Sequence, residues 1–116
     1  MNITNLDLIR SAKPLKLLSE KGDIPFSAAF AIAKNIAVID AAIADYMTKK
    51  SELDKAYLTD GAEPTIKAGM EEDYLRELTE LNSTNIDIVI QKIAPKSMAN
   101  TPFPPKLLLP ILFMFE

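Results

Sequence analysis

Between Phe26 and Leu58 the chain runs without a glycine or a proline through a stretch rich in Ala and Ile. Ala28, Ala29, Ala31, Ala33, Ala37, Ala41, Ala42 and Ala44 give it high helix propensity. Pro25 suits the first turn of such a helix. A continuous helix of about 33 residues is about 50 Å long. A compact domain of this size has a radius of gyration near 13 Å and a diameter of about 35 Å. The helix must therefore protrude, bend, or be covered by a second chain, and this mismatch is the main argument for a homo-oligomer. Within it Ile32, Ile36, Ile39, Ile43, Tyr46, Leu53 and Tyr57 fall three or four residues apart, except where Lys50 fills a gap. That is the spacing of a seam packed along another helix. If Lys50 lies in an intermolecular seam, Lys50→Leu tightens association.

The remaining composition limits the chemistry. The 116 residues read as a single helical domain over 1–116. There is no Cys and no His, which removes disulfides, thiolate chemistry, the commonest general base and the commonest metal ligand. A net charge of −3 supplies no basic field for a nucleic-acid backbone, so nucleic acid is not an expected partner. The opening MNITNLDLIRSAK has no basic leader followed by an apolar core, so it does not read as a signal peptide. Lys34, Asn35, Asp40 and Asp45 interrupt the long helix and argue against a simple membrane span. The expected location is therefore cytoplasmic.

A first helix is expected from Thr4, whose hydroxyl can cap the first turn while Asp7 sits favourably near the positive end. Leu8, Ala12, Leu15 and Leu18 form its apolar stripe. Pro14 either kinks it or starts its second half, and Lys21-Gly22-Asp23 is a stop signal. Ile3 to Leu8 also alternates like a strand, but the continuing helical period favours the helix. Thr59 to Pro64 reads as a loop. A third helix from Thr65 to Asn82 places Ile66, Met70, Tyr74, Leu78 and Leu81 on one face and folds back as an antiparallel helical hairpin. Asn85 to Ile93 is the one good strand candidate, with Ile86, Ile88 and Ile90 on one side and Asp87, Val89 and Gln91 on the other. Its partner is Met1 to Thr4, a segment near Lys92, or the same strand of another chain. Lys106 to Glu116 reads as a short apolar helix docked on the core. The fold class is thus mainly α with a minor β element.

No catalytic constellation emerges. Glu71, Glu72, Asp73, Glu77 and Glu80 form the densest acidic group, but three of them are consecutive and fan around the helix, so no metal site is expected. The group reads as a solvated face, with Glu72, Asp73 and Glu77 as the alternative, an acidic surface for a protein partner. Ser11, Ser19, Ser27, Ser51, Ser83 and Ser97 lack an activating His, and Gly22, Gly61 and Gly69 form no phosphate loop. No cofactor and no enzymatic activity are expected.

Ala31-Ile32-Ala33-Lys34-Asn35-Ile36, Glu77-Leu78-Thr79-Glu80-Leu81 ahead of Ile86-Asp87-Ile88, and the closing Leu107-Leu108-Leu109 with Leu112-Phe113-Met114-Phe115-Glu116 occur in an order that resembles a family of small phage proteins. Genes of that family sit in phage and prophage morphogenesis clusters, near tail genes. Pro102 to Pro110 departs from the smoother terminal helix of the pattern. The resemblance implies a non-enzymatic protein that works through protein–protein contacts in virion assembly. Its working surface would be the Ile32–Tyr57 seam, the Ile86–Ile90 strand, or both. An inhibitor of a host defence protein, acting through the acidic face, is the alternative.

Overall fold

The computed structural model describes residues 1–116. It is 64% helical, with four helices and a two-stranded antiparallel sheet. Strand β1 (Asn2–Thr4) leads directly into helix α1 (Asn5–Ser19). Thr4 is the residue at which the extended chain becomes helical. Its backbone is extended, and its side chain accepts a hydrogen bond from the Asp7 N–H at 3.2 Å. The two readings of residues 3–9 are therefore each right for part of the segment. Helix α1 is continuous through Pro14, which is buried. Leu8, Leu15 and Leu18 are almost fully buried, each contributing about 1.5–3 kcal/mol of apolar transfer. After α1 the left-handed backbone position falls on Asp23 (φ 60°), not on Gly22. Asp tolerates that conformation better than most residues.

Helix α2 (Phe26–Tyr57) is unbroken. Its 32 residues extend about 48 Å, close to the 53 Å long axis of a molecule measuring 53 × 28 × 22 Å. The radius of gyration is 17.3 Å, against about 13 Å for a compact chain of this length. The long helix is therefore neither bent back nor hidden. The molecule consists of a body and an arm.

The body holds the apolar core. Ile3, Leu8, Leu15, Leu18, Ala28, Ala31, Ile32, Ile39, Ile88, Ile93, Ile111 and Met114 form one buried cluster. The chain's last segment, α4 (Pro105–Leu108) followed by a 3₁₀ stretch (Leu109–Met114), packs against α1 and drives Ile111 and Met114 into this cluster. The terminal element expected from the sequence thus docks as anticipated, but Pro110 makes its second half 3₁₀ rather than α.

The arm is the outer half of α2 with helix α3 (Glu71–Ser83) folded back antiparallel along it. Tyr46 meets Asn82 and Asp54 meets Tyr74, so partners descend along one helix as they climb the other. Helix α3 starts six residues later than the sequence pattern indicates. Ile66 pairs with Leu58 in a β-bridge, the Lys67 N–H bonds the Tyr57 carbonyl, and Gly69 takes φ 81° just before the helix begins. Helical periodicity in 65–70 was overridden by this clasp across the hairpin end.

The strand expected over 85–93 forms only at β2 (Asn85–Asp87), antiparallel to β1, with Ile3 opposite Ile86. Pairing is within the chain. The later residues stay extended and find other partners. The Ile88 N–H bonds the Met1 carbonyl, Gln91 is held by the Asn35 side chain, and Ile93 forms a parallel bridge with Phe115. The alternation itself is as anticipated: Ile88 is buried, Ile86 and Ile90 half-buried, while Asp87, Val89 and Gln91 are exposed.

Candidate functional site

The seam residues of α2 divide between body and arm. Ile32 and Ile39 are 2% and 1% exposed inside the body, and Tyr46 is buried against α3. Ile36, Ile43, Leu53 and Tyr57 are half-buried. The seam exists, but it is satisfied within one chain, so it is not the surface offered to a second copy. The same correction applies to Ile86, Ile88 and Ile90, which face the chain's own core. Periodicity identifies a buried face; it does not identify the molecule that buries it.

Lys50 is likewise not a gap in an intermolecular seam. Its ammonium sits 2.9 Å from Asp54, whose other oxygen accepts the Tyr74 hydroxyl at 2.7 Å. The Tyr46 hydroxyl donates to Asn82 at 2.6 Å, and the Tyr57 ring meets the Tyr74 ring edge-on at 6.0 Å. Polar contacts thus hold the arm together. The hydrogen bond to Asp54 raises the Lys50 pKa against the opposing effect of burial. Burial pushes the Asp54 carboxyl up, but the hydrogen bonds from Tyr74 and Lys50 outweigh it and the net shift is downward. Tyr74 is raised by its bond to Asp54 and by burial. Hydrogen bonding to the Glu77 carboxylate raises Tyr57.

These shifts have a defined sign. Asp54, lowered in the folded state, contributes stability above its ordinary value of 3.8, and that contribution is lost as pH falls through the lower folded value. Lys50 and Tyr74, both raised, contribute below their ordinary values of 10.5 and 10.0, and lose that contribution as pH rises through the higher folded ones. The arm is therefore tightest between these limits. The chain has no Trp, and its three tyrosines all lie in the arm, so tyrosine fluorescence reports on the arm alone. Acidification below pH 3.8 is expected to change that fluorescence before the far-ultraviolet dichroism of the body. Asp54→Asn is expected to remove the acid step. An acid step of unchanged size in that variant would show that Asp54 does not fasten the arm.

The acidic residues do not assemble into a site. Glu71, Glu72 and Asp73 occupy the first turn of α3, where negative charge is favoured by the helix dipole. Asp73 pairs with Arg76 at 2.9 Å, while Glu71 and Glu72 are exposed. No group of three or more acidic side chains converges as a metal site would require.

The residue that sequence reasoning passed over is Asn35. It is fully buried, donates to the Gln91 carbonyl at 3.0 Å and accepts from the Gln91 N–H at 2.8 Å. One side chain thus replaces a strand neighbour for the extended segment. The available signal was its position, four residues from Ala31 and from Ile39 on the apolar face of α2.

The face of α2 opposite this core has no covering element. Phe26 is 83% and Phe30 51% exposed; the two rings stack at 6.2 Å, and the Lys34 ammonium lies 5.2 Å over the Phe30 ring. Ala33, Ala37, Ala41 and Ala44 continue this face, and Met47, 54% exposed, lies at its border. By length and composition α2 is apolar enough to cross a membrane, with 28% of its most apolar stretch buried in the fold. Of the four polar residues that interrupt it, Asn35 bonds Gln91 and Asp40 lies 3.7 Å from Lys16, while Lys34 and Asp45 remain exposed. Compared with protein-family models, curated proteins and solved structures, the chain matches none.

Proposed function

We propose that the protein is a non-enzymatic, self-associating component of phage or prophage virion assembly, and that copies meet through the outer face of α2. The observation that carries the self-association is the exposure of Phe26 and Phe30 on a helix whose other face is already satisfied. Aromatic side chains exposed next to one another on a smooth alanine surface are a signature of a protein contact. The alanines let a second helix approach closely, and the length of α2 offers a long line of contact. The phage context rests on the resemblance of the sequence segments.

The energetics favour a reversible assembly. Burying both rings on each of two copies contributes roughly 5–10 kcal/mol, against an association cost of about 4–15 kcal/mol. The acidic turn of α3 supports an inhibitor reading less well, because Asp73 is already paired with Arg76.

Phe26→Ser with Phe30→Ser is expected to shift sedimentation from oligomer to monomer, with the helical far-ultraviolet dichroism retained because neither ring belongs to the buried core. A wild-type monomer at the highest soluble concentration would overturn the proposal. Mass spectrometry of purified particles from the encoding phage tests the assembly role, and the chain is expected among the particle proteins.

A further inference from the structure

We infer that the open edge of β1 is a binding site for an extended peptide from a partner protein, one that carries an acidic residue beside a large apolar one. A groove of about 610 Å³ is lined by β1, by Asp7 and Arg10 of α1, and by Leu109, Pro110 and Phe113 of the terminal segment. Strand β2 contributes only Asn85, so the groove follows the side of β1 away from its partner strand.

The backbone on that side is unpaired. The Ile88 N–H bonds the Met1 carbonyl and the Asn5 N–H bonds the Thr84 carbonyl. In an antiparallel ladder this makes Met1, Ile3 and Asn5 the residues bonded to β2 and turns the backbone groups of Asn2 and Thr4 outward. None of the backbone–backbone hydrogen bonds outside helices and strands involves Asn2 or Thr4. The Thr4 carbonyl, at the helix cap, serves the first turn of α1. The N–H and carbonyl of Asn2 and the N–H of Thr4 remain, the two residues about 7 Å apart as an added strand requires.

Two further features define the partner. Leu109 is 66% exposed and Phe113 half-buried, an apolar wall suited to alternate side chains of an extended segment. Arg10 has no carboxylate partner, whereas Asp7 already benefits from the amino end of α1. The charge left to be matched is therefore positive, and an acidic residue in the peptide matches it. A second copy of β1 would fill little of the groove, because that strand has only three residues. The site shares no residue with the outer face of α2 and is independent of self-association.

The test is a titration of isotope-labelled protein with the peptide acetyl-Thr-Leu-Asp-Leu-Thr-amide, followed by nuclear magnetic resonance. Two analogues, N-methylated at the odd or at the even residues, complete the set. Shifts of the Asn2 and Thr4 amides are expected, with one methylated analogue inactive and the other binding. Arg10→Glu, at an exposed position, is expected to weaken binding about tenfold, and Leu109→Asp to abolish it. No shift of the Asn2 and Thr4 amides at about millimolar peptide, or equal binding by both analogues, would overturn the inference. Sedimentation of the same samples reads self-association separately, so failure of one proposal is distinguishable from failure of the other.

Discussion

Replacing Asn35 with Ala is expected to lower the unfolding free energy by about 2–4 kcal/mol, a large fraction of the total for a domain of this size. Two backbone groups of the extended segment, the Gln91 N–H and carbonyl, lose their only side-chain partner, and the cavity left at the fully buried Asn35 position adds to the cost. At roughly 4 °C per kcal/mol, the melting temperature falls by about 8–16 °C. Asn35→Leu separates the possible causes. It restores volume but not the hydrogen bonds, so it should remain destabilised, and exchange of the Gln91 amide should accelerate in both variants. Full recovery in the Leu variant would mean that the site is a packing position and that the paired hydrogen bonds contribute little.

Ile111→Ala and Met114→Ala are each expected to cost about 2–5 kcal/mol, because both side chains are fully buried and truncation leaves a cavity within the apolar cluster rather than an exposed gap. Together they approach the entire stability of an ordinary domain, so the double variant should be largely unfolded at room temperature. Urea denaturation of the single variants checks this. A cost below about 1 kcal/mol for each would show that the terminal segment lies outside the cooperative core. Leu112→Ala provides the comparison, since Leu112 is 49% exposed and its loss should change little.

Much of the architecture could be read from the residues themselves. Thr4 and Asp7 marked the start of α1, and Leu8, Leu15 and Leu18 marked its inner face. The absence of Gly and Pro from 26 to 57 marked α2, and the terminal apolar run marked a docked segment. What remained hidden depends on information no local pattern contains. The spacing from Ile32 to Tyr57 announced a buried face but not that α1, α3 and the extended segment of the same chain bury it. Lys50 looked like an interruption because its partner, Asp54, belongs to a network completed by Tyr74 from another helix. Alternation over 85–93 announced extended backbone, yet which neighbour satisfies each amide depended on Met1, Asn35 and Phe115, all distant in sequence. The start of α3 was misplaced because a positive φ at Gly69 and the pairing of Ile66 with Leu58 outweigh helical spacing. Phe26 and Phe30 were counted as helix content, and their exposure emerged only once the opposite side of α2 was seen to be occupied.

The arm is fastened by an ion pair, phenol hydrogen bonds and one ring contact, whereas the body is sealed by a dozen interlocked apolar side chains. Such a limb can yield while its root stays shut. A force applied near Gly61 would be met by a compliant lever about half the molecule long, able to splay α3 from α2 without disturbing the sealed base.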